Sequence, residues 1–314
     1  MFKKTFAALA IGLSFTAAMA QEVNFGIIST EATQNLKADW QPLLDDMEKQ
    51  TGLKVKAFFA PDYAGIIEGM RFNKVQIAWM GNKSAMEAVD RSNAEVFAQM
   101  VNADGTQGYY SHLIVHKDSP LKNLNDLFSN AKNLSFGNGD PNSTSGFLVP
   151  GFYVFAQNKV DAKTAFKIAR SANHEANALA VANKQVDVAT NNSENLDKIK
   201  ERQPAKFNEI KIIWTSPLIP LDPLVMSKNL PEATKTKIKT FFYNYAKTDA
   251  REKDIVMKIS KFSGFKASTN EQLKPIRQLD FFGQRNKVES DTTLSAAEKQ
   301  TKLADIDQKL AALK

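Results

Sequence analysis

The chain has 314 residues, with 41 lysines and arginines against 34 aspartates and glutamates, a net charge of +7 and no cysteine. Disulfides and a cysteine-borne lipid anchor are excluded, so stability must come from buried core, and this length can supply enough for two domains. The basic excess is modest and spread along the chain, without a long basic run or basic-aromatic interleaving, which argues against nucleic-acid binding.

Residues 1–20, MFKKTFAALAIGLSFTAAMA, have the three parts of an export signal. Lys3 and Lys4 supply the charge, Phe6 to Phe15 the apolar stretch, and Ala18-Met19-Ala20 the cleavage motif. Cleavage after Ala20 is expected, which leaves 39 basic against 34 acidic residues, net +5, in a mature chain starting at Gln21. The apolar stretch falls short of the roughly 20 residues of a membrane span.

From Val23 onward short apolar runs alternate with helical patterns, the sign of α/β architecture. VNFGII reads as a buried strand. Trp40, Leu43, Leu44 and Met47 then recur on one helix face, and Gly52 is placed to end that helix. LKVKAFF, VQIAWM and AEVFAQMV read as strands, with helices AGIIEGMRF and SAMEAVDRS between them. After YYSHLIVH the series restarts: NLSFG, FKIARS, VDVAT and IKIIW as strands, with helices from Ser143 and over ANALAVANK.

Two segments are expected to join two lobes, HKDSPLKNL near 116–124 and SPLIPLDPLV near 216–225, whose prolines favour extended chain. Lobe one is then expected over 21–116 and 225–280, lobe two over 117–224, and a helical tail over 281–314. In the tail Ser295 and Glu298 form a capping box, and Leu303, Ile306, Leu310 and Leu313 make one apolar stripe. That stripe needs a partner, either its own lobe or a second subunit in a homodimer.

GDPNSTSG, residues 139–146, places a glycine-bounded turn before a helix start. Ser143 is followed three residues later by Gly146 rather than Glu or Gln, so no capping box forms and the N-terminus is expected to be open. Hydroxyls at Ser143, Thr144 and Ser145 on the positive end of the helix dipole suit a tetrahedral oxyanion, and they equally suit ordinary capping. No lysine or arginine lies between Lys132 and Lys159, so any anion here is held by dipoles and neutral donors. Pro150 falls inside this helix and is expected to kink it.

The stretches NFGIIST, FFAPDYAGIIEGMRFNKV, AMEAVDR, FGNGDPNSTSGFLVPG, ALAVANKQVDVATNN and SPLIPLDP resemble the periplasmic phosphonate-binding proteins of bacterial ABC transporters. The resemblance spans nearly the whole mature chain and implies the type II periplasmic binding protein fold, two α/β lobes hinged by two crossovers. By the same resemblance Ser143, Thr144 and Ser145 contact the phosphonate oxygens, with Tyr63 and Tyr109 from lobe one and His174 from lobe two. Glu194 and Asp222 resemble the carboxylates that receive the ligand's amino group. Trp79-Met80 stands where the family has an aromatic pair, and Met226 where it has a tryptophan. A homodimer through the tail helices is a further implication.

Carboxylates facing an anion site disfavour a plain dianion and favour an ammonium group. The expected ligand is therefore a zwitterion such as 2-aminoethylphosphonate. A carboxylate accepting from a protonated phosphate oxygen keeps inorganic phosphate or phosphite as the alternative. The expected partners are a membrane permease and its ATPase, since the chain has no G-x-x-x-x-G-K-[ST] phosphate loop of its own. Neither metal nor cofactor is expected. His112 and His116, four apart on a strand, are too widely spaced for an easy shared metal site. An exported phosphate-ester hydrolase would need a metal cluster, an activated nucleophile or a paired acid and base, and the sequence offers none. Without a lipid-anchor cysteine, a free periplasmic protein is expected.

Overall fold

The computed structural model describes residues 21–313, and the expected export signal at 1–20 lies outside them. Helix Thr33–Thr51 buries Trp40, Leu43, Leu44 and Met47, and Gly52, at φ 69°, ends it in the left-handed conformation that glycine adopts without steric cost. No helix among the described residues is long and apolar enough to cross a membrane.

In chain order the strands are β1 (Glu22–Ile27), β2 (Lys54–Phe59), β3 (Ile77–Trp79), β4 (Ala94–Asn102), β5 (Gly108–Tyr109), β6 (Ser111–His116), β7 (Ser135–Asn138), β8 (Ile168–Ser171), β9 (Val188–Asn192), β10 (Ile210–Thr215), β11 (Ile219–Pro220), β12 (Pro223–Ser227) and β13 (Phe262–Ala267). They form a six-stranded sheet of order β13-β4-β12-β3-β1-β2 and a five-stranded sheet of order β10-β6-β9-β7-β8. Each sheet has a parallel trio with an inserted antiparallel strand next to it, β12 beside β3 in the first and β6 beside β9 in the second, and β13 also runs antiparallel at the edge of the first. Both inserted strands follow a crossover, so the chain builds lobe one, crosses, builds lobe two and returns. The two-lobed α/β architecture that the resemblance implies is thus present.

The boundaries differ from expectation at two places. Ser111–His116 was expected to close lobe one, but it pairs with β9 and β10 in the second sheet. The first crossover is therefore residues 103–110 and not 116–124, because a fully buried strand is claimed by whichever sheet offers two partners. The second crossover is residues 216–222, within the expected 216–225 segment, and lobe one resumes with β12 at Pro223 rather than at 225. The expected tail boundary at 281 cuts helix Lys274–Ser290, which runs through it unbroken.

The crossovers meet. β5 and β11 pair antiparallel as a two-stranded ribbon at the hinge. A Cβ at Gly108 would stand 2.1 Å from the Ile219 carbonyl oxygen, so only glycine permits this approach. Gly108→Ala is expected to destabilise the ligand-free protein by about 1–3 kcal/mol, the range for overpacking, seen as a lowered melting temperature in calorimetry.

Lobe one packs around Phe25, Trp40, Phe97 and Phe242, with Trp40 against Trp79 at 5.1 Å between ring centroids. Lobe two has a cluster on each side of its sheet, Phe136, Phe155 and Phe166 on one, and Ala178, Val181 and Leu196 on the other. The tail helix Ala296–Ala311 has its capping box and buries Ile306, and it packs along helix Lys274–Ser290 with an Arg285–Asp307 ion pair between them.

Candidate functional site

The loop after β7 folds back on itself: the Gly139 N–H donates to the Gly146 carbonyl at 3.0 Å. A Cβ at Gly139 would lie 2.5 Å from the Gly146 backbone, so the first glycine of GDPNSTSG is there for this approach. Ser143 caps the helical segment that follows, its Oγ accepting from the Gly146 N–H at 3.0 Å. The helix start is therefore partly self-satisfied, against the expectation of an open terminus, because a serine cap works without the acidic half of a capping box. Pro150 does not sit in an ordinary α-helix. Residues 144–148 and 151–155 are wound with wider i→i+5 hydrogen bonds, such as Leu148 N–H to Ser143 O at 3.1 Å, and this winding flanks the proline that lacks an N–H.

Other elements bring their ends to the same point. His174 opens helix His174–Ala182, whose cap is Asn173, and Glu194 lies in the first turn of helix Ser193–Arg202, whose cap is Asn192. Tyr63 opens helix Tyr63–Arg71 of lobe one. Tyr109 is on the hinge strand β5 and Asp222 follows β11, and their side chains meet, Tyr109 Oη donating to Asp222 Oδ1 at 3.2 Å. All eight candidates, Ser143, Thr144, Ser145, Tyr63, Tyr109, His174, Glu194 and Asp222, line a single cavity between the lobes. The centre of a water-sized sphere can move through about 40 Å³ of it. One water needs only about 10–15 Å³ on that measure, so the space suits a ligand of a few heavy atoms.

The three hydroxyls are tied to both lobes. Thr144 Oγ1 accepts from the Lys83 N–H of lobe one at 2.8 Å, while Ser145 Oγ accepts from Asn192 Nδ2 at 3.0 Å. His174 Nε2 lies 3.3 Å from Asn192 Nδ2 and 3.4 Å from Ser143 Oγ. Burial pushes the His174 imidazole down to about 4, so it is neutral at physiological pH. The phenols of Tyr63 and Tyr109 are held well above their ordinary range, by burial first and then by the charge of Asp222. These hydroxyls, phenols and imidazole are thus all neutral hydrogen-bonding groups.

The same cavity holds the Glu194 and Asp222 carboxyls. Burial pushes the Glu194 carboxyl up to about 7, with Asp197 adding to the rise and Lys198 opposing it. Asp222 is raised well above the usual carboxylate range by burial and then by Glu194. Lys198 lines the cavity, but its ammonium is held by Glu31 at 2.8 Å and Asp39 at 2.5 Å. Among the described residues the buried polar atoms without a partner are Trp79 Nε1, His174 Nδ1, Thr190 Oγ1, Glu194 Oε1 and Asn195 Oδ1. All but Thr190 belong to residues that line the cavity. Buried orphans of this kind are costly, and their gathering at one cavity makes it the candidate ligand site.

A raised folded-state pKa has a stability consequence. The Glu194 contribution is full below 4.5 and is lost as pH rises through about 7. Glu194→Gln is therefore expected to raise the melting temperature of the ligand-free protein at pH 8 by several degrees, an effect on the order of 3 kcal/mol at most, and to leave it unchanged at pH 4. Thermal scans at the two pH values check this.

The cavity is also lined by residues that the sequence reading did not place in the site, among them Asn192, Asn195, Lys198 and Trp79. Asn192 and Asn195 stand in the same NNSEN stretch as Glu194, and an Asn just before a helical Ser-Glu is a capping signal that would have placed Asn192. Trp79 was noted only as half of an unusual pair. Met80 and Met226, the other departures from the family pattern, are fully buried in the lobe-one core and do not line the cavity.

Residues 25–273 match the family described as the periplasmic substrate-binding protein of phosphonate ABC transporters. The chain is 61% identical over 288 residues to the phosphonates-binding periplasmic protein of Escherichia coli K12, covering 92% of this chain and 84% of that one. It is 29% identical over 244 residues to a phosphate-import protein of Mycolicibacterium smegmatis, covering 74% and 75%. The crystal structure of a binding-protein component of an ABC phosphonate transporter from Pseudomonas aeruginosa superposes with a TM-score of 0.91 at 56% identity, covering 94% of this chain and 97% of that one. With a matched region that takes in both lobes and every cavity residue named above, the chain belongs to the family of periplasmic substrate-binding proteins of phosphonate ABC transporters.

Proposed function

We propose that this protein captures phosphonates carrying a short aminoalkyl tail, 2-aminoethylphosphonate foremost, by closing its two lobes, and delivers them to a membrane permease driven by its ATPase. Ser143, Thr144, Ser145, Tyr63, Tyr109 and His174 take the phosphonate oxygens. Glu194 and Asp222 take the ammonium, and delivery follows export with cleavage after Ala20. Its relatives are substrate-binding transport proteins rather than enzymes, as the sequence implied.

The observation that carries the aminoalkyl reading is the pair of buried carboxyls in one cavity with a set of neutral donors, one carboxyl with an unpartnered oxygen. An ammonium satisfies that oxygen and offsets the burial cost of both charges. A plain dianion does the reverse unless the carboxyls keep their protons and donate them. That exception, together with the phosphate-import relative, supports a second reading as a phosphate or phosphite receptor. Calorimetric titration of the refolded, ligand-stripped protein separates the two. Tight binding of 2-aminoethylphosphonate with weak binding of phosphate is expected, and the opposite order would move the assignment to the second reading.

A further inference from the structure

Several lobe-one helices begin at the cleft, and lobe two reaches across to each of their N-termini. Helix Thr33–Thr51 has Ala32 as its cap and no side-chain cap of its own. The Ala32 N–H donates instead to Glu175 Oε2 of lobe two at 2.7 Å, and Asn35 Nδ2 donates to Glu175 Oε1 at 3.1 Å. Helix Asn82–Arg91 begins at Gly81, again without its own side-chain cap, and its Lys83 N–H donates to Thr144 Oγ1 of lobe two at 2.8 Å. Helix Tyr63–Arg71 uses Asp62 for one donor, and its Tyr63 N–H donates to Asp140 Oδ2 of lobe two at 3.1 Å. Beside the first of these, Lys198 and Arg202 of lobe two embrace Glu31 and Asp39 of lobe one, with Arg202 Nη2 2.7 Å from Asp39 Oδ1.

The first N–H groups of a helix need partners, and a helix without a side-chain cap takes them from water or from another element. We infer that lobe two caps the lobe-one helices in trans and clasps Glu31 and Asp39 with its own cations when the cleft shuts, which makes Glu175, a cap, and Asp39, an ion-pair partner, determinants of affinity that never touch the ligand. Neither lines the cavity. Their contacts exist only with the lobes together, so they favour the closed form for any ligand that fits. Apparent affinity scales with the population of that form, and every ligand feels the same factor. Thr144 links the two systems, since one hydroxyl both lines the anion site and caps the lobe-one helix.

The inference rests on the closure mechanism above but not on the identity of the ligand, and its test keeps the two apart. Binding of 2-aminoethylphosphonate, methylphosphonate and inorganic phosphate is measured for Glu175→Ala and, on the other lobe, Asp39→Asn. Glu175→Ala is expected to weaken every ligand that binds the parent protein by the same factor, about tenfold, as for a lost helix cap. The loss appears in the dissociation rate, and the melting temperature of the ligand-free protein stays constant. Glu175→Gln keeps one acceptor oxygen and recovers part of the affinity. Asp39→Asn repeats the uniform pattern. Unchanged affinity in both variants would overturn the inference, as would a loss confined to one ligand or an equal fall in ligand-free stability. If phosphate proves the tight ligand, the aminoalkyl assignment fails while the uniform factor is still read with phosphate.

Discussion

Replacing Ser143 and Thr144 together by alanine is expected to lower affinity for every phosphonate about a thousandfold, because hydrogen bonds to a charged group contribute about 1.5–3 kcal/mol each. The anion here has no cation to fall back on. His174 is neutral, Lys198 is committed to Glu31 and Asp39, and the tyrosines remain protonated phenols. The double substitution removes two donors, the cap on Gly146 and the cross-cleft bond to Lys83 at once. Titration with methylphosphonate isolates the anion site from the amino site. A loss smaller than tenfold would place the anion elsewhere in the cavity.

Glu194→Gln is expected to cut affinity for 2-aminoethylphosphonate about a hundredfold, within the range for truncating one partner of a buried charge pair. It should leave methylphosphonate unchanged or slightly tighter, since the neutral amide removes a charge that the phosphonate opposes. The sign of the difference matters more than its size. Equal losses for both ligands would show that Glu194 supports the pocket without meeting an ammonium. The same change that stabilises the empty protein at high pH thus removes its selectivity, a trade expected where function requires a buried charge.

Much of this site was readable from the chain because its parts are local. GDPNSTSG announced a turn and a helix start, and His174 and Glu194 each follow an asparagine that caps the next helix. The order of strands and helices gave two α/β lobes, and the family resemblance gave the roles. What the chain could not show is which distant pieces meet. YYSHLIVH was legible as a strand, but its sheet is decided by pairing with Val188–Asn192 and Ile210–Thr215, far along the sequence. Tyr109 and Asp222 are 113 residues apart and touch only because β5 and β11 pair at the hinge. The wide winding around Pro150 has no local signal beyond the proline itself, so a kink was the natural expectation. The trans caps were equally hidden, because Glu175 looks like an ordinary first-turn carboxylate on its own helix.

The most direct test of the central claim is the proton balance of binding. Calorimetry of 2-aminoethylphosphonate binding at pH 7 in two buffers of different ionisation enthalpy reads it, with Glu194→Gln and the same ligand as the reference for the phosphonate's own protons. In the ligand-free cavity Glu194 holds its proton up to about pH 7, and Asp222 is also raised. An arriving ammonium favours the ionised carboxylates, so the parent protein should release more protons on binding 2-aminoethylphosphonate than Glu194→Gln does. Equal proton balance for the two proteins, or a smaller release by the parent, would contradict an ammonium site at Glu194.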